Sequence, residues 1–139
     1  MRPAVAAVLL LLSACSPRLI SDYDQTTDRS VTELQRMVES FLTTLERDPT
    51  PPACEYARQR QFYHDASVAI SALAVRNEIR THNEITNAQI GLLKKSLDAL
   101  ERLHQTGCLS PLQVQLVRDG FNQSFRAILK FELAKQRGG

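Results

Sequence analysis

Apolar residues recur along most of this chain at helical spacing, and no segment shows convincing strand alternation. Val31, Leu34, Val38, Phe41 and Leu45 follow one another at intervals of 3, 4, 3 and 4, which is one stripe down an α-helix. Met37 and Leu42 widen the stripe. Ser30-Val31-Thr32-Glu33 has the spacing of a capping box, a hydroxyl followed three residues later by a carboxylate. The first helix is therefore predicted to begin at Ser30. It ends at Pro49, Pro51 and Pro52, which lack an N–H and restrict the residue before them. A second helix is predicted over 53–82. Tyr56, Tyr63, Ala66, Ile70 and Leu73 form its stripe, with Phe62 and Ala69 beside it, and the same stripe then meets Asn77 and Arg80.

Thr86 and Gln89 make a second capping box, with Ile85 and Ile90 placed to close over it as a hydrophobic staple. A third helix is expected from near Asn87, carrying Ile90, Leu93, Leu97 and Leu100, with Gly107 as its C-terminal cap. Ser110, Pro111 and Gln113 repeat the start signal for a fourth helix, and Leu109 and Val114 can staple it. Its inner face is Val114, Val117, Phe121, Phe125 and Ile128. Lys130, Lys135 and Arg137 suit the negative end of its dipole. Gly120 costs about 1 kcal/mol relative to alanine in mid-helix, so close packing against a neighbour is expected there.

These elements predict an all-α fold, an antiparallel four-helix bundle with short connections. In an up-and-down bundle Cys54 opens the second helix and Cys108 closes the third. The two meet at one end, where a Cys54–Cys108 disulfide can form. A single continuous helix over 53–104 is the competing layout. At 1.5 Å per residue it would hold the cysteines about 75–80 Å apart and forbid the bridge. The staple and capping box favour the hairpin.

The first fifteen residues differ from the rest. Arg2 precedes an unbroken apolar run over 4–12, then come Ser13, Ala14 and Cys15. Nine apolar residues are too few to span a bilayer, which needs about 20, but they fit the centre of a secretory signal. Leu12-Ser13-Ala14-Cys15 resembles the lipobox of bacterial lipoproteins. The resemblance implies a diacylglycerol on the Cys15 thiol, cleavage before Cys15 and acylation of the new amine. Ser16, standing where aspartate favours the inner membrane, implies the outer membrane and a body facing the periplasm. The expected division is a signal peptide over 1–14, a lipidated cysteine and flexible tether over 15–29, and a bundle domain over 30–137. The polar stretch 16–29 could extend about 45 Å and hold the bundle well off the membrane. The body also loosely resembles small proteobacterial envelope lipoproteins, which implies no activity.

Composition narrows the function classes. The chain has 17 basic and 15 acidic side chains. That balance argues against a nucleic-acid partner, which calls for a clustered basic surface. In an oxidising periplasm a cysteine pair is expected to be bridged. His104 and Cys108 lie four apart near Cys54, but zinc wants three or four protein ligands, so no metal is expected. No nucleophile elbow and no phosphate-binding glycine motif occurs, so no catalytic residue, no cofactor and no enzymatic activity are expected. Tyr56, Phe62 and Tyr63 read as core. Arg76, Asn77, Arg80, His82 and Asn83 are the oddest group. Asn77 and Arg80 are expected to be exposed where a longer second helix overhangs the first, or to pair with Glu132. The functional reading makes the five residues a partner-binding patch. The expected function is a membrane-anchored, non-enzymatic module that binds another envelope protein. The alternatives are a small ligand or lipid within the bundle, and an enzyme of unrecognised type.

Overall fold

A computed structural model describes residues 19–138. The signal over 1–14, the lipobox and Cys15 lie outside the described residues. The described chain holds four helices: α1 Gln25–Arg47, α2 Tyr56–Glu78, α3 Glu84–Gln105 and α4 Pro111–Gly138. Successive helices pack together and α4 closes the ring on α1, while the diagonal pairs do not approach. This is the up-and-down bundle that the stripes predict. One end gathers segment 19–24, the 79–83 turn and the end of α4. The other gathers the α1–α2 and α3–α4 connections and the disulfide.

The core is built from the apolar stripes. Val31, Leu34, Val38 and Leu42 of α1 face Ala66, Ile70 and Leu73 of α2, Leu93 and Leu97 of α3, and Phe121, Phe125 and Ile128 of α4; all are buried. Each such side chain contributes about 1.5–3 kcal/mol by leaving water. At the disulfide end Phe41 stacks on Phe62 with ring centroids 3.8 Å apart, and Tyr63 packs edge-on to both. Cys54 and Cys108 are bridged, with Cα atoms 5.3 Å apart. The bridge and the 79–83 turn rule out the continuous rod. His104 sits beside the bridge, fully buried. Its Nε2 lies 2.7 Å from the Cys54 carbonyl oxygen. That oxygen can only accept, so Nε2 carries a proton, and in the tautomer protonated there alone Nδ1 accepts from the Tyr63 hydroxyl at 2.7 Å. Burial pushes the Tyr63 phenol well above its ordinary range, which keeps it a donor.

Several boundaries differ from the expectation. α1 starts at Gln25, inside the expected tether. Asp24 is its N-cap, accepting from the Thr26 and Thr27 amides. Thr27 is fully buried and extends the Val31–Leu34 stripe one turn backwards, so Ser30 is mid-helix. α1 and α2 are each 23 residues long; the expected overhang of the second helix does not exist. α3 starts at Glu84, and Thr86 is turned into the core instead of capping it. His82 turns the chain between α2 and α3 with φ 57°, a left-handed conformation uncommon outside glycine and asparagine. The fourth helix starts as read: the Ser110 side chain accepts from the Gln113 amide, and the Gln113 side chain accepts from the Ser110 amide. Gly107, just beyond α3, has φ 151°, a region that side chains rarely enter. Gly120 is not at a close packing point. A Cβ there would meet nothing within 4 Å.

Candidate functional site

The inner stripe of α4 does not stop at Ile128. It continues at helical spacing into Glu132 and Lys135, whose side chains are each 1 % exposed. Burying a charged pair is unfavourable unless hydrogen bonds satisfy it. Here they do. The Lys135 ammonium has three protons, and it has three acceptors: Glu132 Oε1 at 2.6 Å, Asn83 Oδ1 at 2.8 Å and Thr86 Oγ at 3.0 Å. Glu132 Oε1 also accepts from the Thr86 hydroxyl, and Oε2 accepts from the Asp24 amide. Asn83 Oδ1 is shared with the Ser21 hydroxyl at 2.8 Å.

The network runs on into α1 and α2. The Asn83 amide nitrogen donates to the Asn77 side-chain and backbone oxygens. Asn77 in turn donates to the Leu73 carbonyl and to Thr27. The Thr27 hydroxyl donates to Asp24 at 2.6 Å. Arg76 grips Asp24 with two hydrogen bonds of 2.7 and 2.8 Å. That fork holds the Asp24 carboxyl well below the usual carboxylate range; the Thr27 hydroxyl adds to it and burial works against it. Arg80 donates to the Asp22 carbonyl at 2.6 Å. The Ser21 amide donates to the His82 carbonyl at 2.9 Å. Segment 21–24 is thus tied to all the other elements of this end.

These contacts revise the five-residue patch. Asn77 and Asn83 are each 1 % exposed, so neither can meet a partner. Arg76 and Arg80 face the protein's own segment 21–24. His82 alone is exposed without a hydrogen bond from its ring. Glu132 is not paired with Asn77 or Arg80 directly. Lys135 is an interior ligand of Glu132 rather than a surface charge on the helix dipole. What sequence reading missed is Ser21, Asp24, Thr27 and Thr86. The signal for them was present: Thr27, Val31 and Leu34 share one stripe, and Asp24 stands one turn before it. Every proton of the central ammonium is committed, so the network ties segment 21–24, the α2–α3 turn, α3 and α4 together. Among the described residues no group of three or more His, Cys, Asp and Glu side chains is arranged to hold a metal ion.

Open surface near this end includes an apolar groove and a more polar hollow. A groove of about 330 Å³ runs between α2 and α3. Ile70 and Ile90 form its buried floor, Ala74, Val75 and Gly91 its apolar walls, and Glu78 and Lys94 its rim. Asn87 lines it, and its buried Oδ1 has no hydrogen-bond partner. Val68 lies seven residues before Val75 on the same face of α2, and both are more than half exposed. Exposed apolar surface with a polar rim is the form of a binding face. A second hollow, also about 330 Å³, lies between segment 20–22 and the α2–α3 turn. Ile20, Ile79, Arg80, Thr81 and His82 line it. No described helix is long and apolar enough to cross a membrane.

A scan against protein-family models, a search of curated proteins and a search of solved structures each found no match.

Proposed function

We propose that the protein is a lipid-anchored, periplasm-facing module that binds another envelope protein through the groove between α2 and α3. The observation that carries the binding half is that groove: an apolar floor and walls, opposite charges on the rim, and a buried Asn87 oxygen left without a donor. An apolar groove between two helices suits an amphipathic helix or extended segment laid across it. The anchoring half rests on the lipobox and on the tie between segment 21–24 and the bundle, which gives the body a fixed orientation to whatever holds the chain before Leu19.

A ligand or lipid enclosed within the bundle is a weaker reading. The apolar stripes fill the centre, and the apolar hollow lies at the surface. The role proposed is binding, and no enzymatic step is part of it.

Two experiments test the two halves separately. Cells fed labelled fatty acid should mark the wild-type protein and leave Cys15→Ser unmarked and unprocessed; equal labelling of both, or of neither, removes the anchor. For the groove, a photo-reactive side chain at Val75 should give a discrete protein adduct in living cells. One at Gln115, exposed on α4, should not. No adduct at Val75, or the same adducts at both sites, removes the groove as the binding face.

A further inference from the structure

We propose that the end of the bundle formed by segment 19–24 and the α2–α3 turn lies directly against the phospholipid surface, with Leu19, Ile20 and Ile79 seated among the headgroups. This deepens the lipid-anchor reading of Cys15 and rests on it.

The argument starts from reach. Cys15 precedes Leu19 by four residues, a span of about 14 Å at most. A tether over 16–29 would have let the bundle drift, but residues from Ser21 onward belong to the body. The Ser21 amide is bonded to the His82 carbonyl and its hydroxyl to Asn83. Asp24 is bonded to Arg76 and Asp22 to Arg80. The first tied residue, Ser21, is six positions from Cys15, about 20 Å of chain at most, so an acyl chain on Cys15 keeps this particular end of the bundle near the bilayer.

That end is equipped for the contact. Leu19 and Ile79 are the most exposed large apolar side chains of the described chain, at 82 % and 81 %. Ile20 is 42 % exposed and lines the same hollow as Ile79. Apolar side chains so exposed in two adjacent segments gain by entering the interface. Arg80 and His82 sit at the edge of the hollow, where a lipid phosphate would complement them. Glu78 and Glu84 flank the same turn, so net charge adds little and the contact is mainly apolar. It should persist at high salt, unlike a purely electrostatic one.

The chain has no tryptophan, so a single introduced indole reports its own surroundings. The lipidated protein would be purified from membranes and placed in vesicles of phosphatidylethanolamine and phosphatidylglycerol carrying brominated acyl chains. Ile79→Trp and Leu19→Trp should emit at shorter wavelength and lose emission to the bromines. Leu112→Trp, exposed at the first turn of α4 at the opposite end, should do neither. Using two reporters guards against one variant folding poorly. If the lipidated protein stays with the vesicles and all three indoles remain unquenched, the bundle does not lie on the lipid, while the anchor stands. Equal quenching at all three positions means the bundle lies on its side and overturns the proposal. A blue shift at Ile79→Trp without quenching shows protein covering this end, which also overturns it. Failure to incorporate labelled fatty acid removes the anchor independently of what the indoles show.

Discussion

Replacing Lys135 by methionine asks whether the buried charges at this end are a stabilising unit or incidental. Methionine keeps the length of the stem and removes three hydrogen bonds, to Glu132, Asn83 and Thr86. Asn83 Oδ1 retains the Ser21 hydroxyl, and Thr86 retains Glu132. Glu132 is the group left stranded: fully buried, and with only the Thr86 hydroxyl and the Asp24 amide remaining. Removing one member of a buried pair typically costs about 3–5 kcal/mol. In a domain of this size each kcal/mol moves the melting temperature by about 4 °C, so a fall of roughly 12–20 °C is expected. The double variant Glu132→Leu with Lys135→Met removes both charges and strands the Asp24 amide and the Thr86 hydroxyl, at about 1–3 kcal/mol each. Relief of ion desolvation offsets that by about 1–4 kcal/mol, so the double variant should lie closer to wild type than the single one. Urea unfolding followed by far-ultraviolet circular dichroism, with the disulfide intact, gives the three free energies. A loss under 1 kcal/mol for Lys135→Met, or a double variant as unstable as the sum of both singles, would refute the reasoning.

Four further outcomes follow from other parts of the fold. Gly120→Ala should raise stability by about 1 kcal/mol, since the position is exposed and helical and a Cβ there meets nothing within 4 Å; a destabilised variant in the same urea assay would reveal a packing role. Asp24→Asn should flatten the acid limb of the stability curve. The folded pKa of Asp24 is depressed by Arg76, so its contribution is complete above the ordinary carboxylate value of about 4 and fades as pH falls towards the depressed one. Wild type and variant with parallel curves between pH 5 and 2 would contradict this. Reducing Cys54–Cys108, separated by 54 positions, should lower stability by up to about 4 kcal/mol on the chain-entropy model, measured by melting with and without reductant. Tyr63→Phe should cost about 1–3 kcal/mol by leaving His104 Nδ1 buried without a donor; an unchanged urea midpoint would show that the hydrogen bond contributes nothing.

The parts of this fold legible in the sequence are those governed by nearest neighbours along a helix. Val31 through Leu45 and Ile90 through Leu100 announce their faces by period alone. Ser110, Pro111 and Gln113 announce a start because their bonds close within four residues. The disulfide follows once the topology is known, since Cys54 and Cys108 stand at corresponding ends of adjacent helices. The failures share one cause. Thr86 and Gln89 have the spacing of a capping box, yet Thr86 serves Lys135 and Glu132 across the bundle. Ser30 has the same local signal, yet the helix is capped six residues earlier, at Asp24, because Thr27 and Asp24 find Asn77 and Arg76 about fifty residues away. Local spacing cannot weigh a long-range buried acceptor against a local cap. A polar residue on an apolar stripe was the warning in every case: Asn77 on α2, Thr86 on α3, Glu132 and Lys135 on α4.

The same network changes what the conspicuous polar residues can mean. Read along the chain, Arg76, Asn77, Arg80, His82 and Asn83 look like a surface that waits for a partner. In the bundle four of the five are already engaged, and their partners are Ser21, Asp22, Asp24, Thr27 and Lys135 of the same chain. A binding site keeps unmet hydrogen-bonding capacity or unburied apolar surface. This cluster is largely engaged within the chain, Arg80 Nε excepted, whereas the α2–α3 groove has the exposed Val68–Val75 face to spare. The polar network fixes where the chain enters the bundle, and therefore which way the groove points. Cutting that tie with Ser21→Ala and Asp24→Ala together should leave groove adducts at Val75 weakened or scattered, even though neither residue touches the groove. If the adduct pattern from living cells is unchanged while the variant is still folded and anchored, orientation is not what the buried polar end supplies.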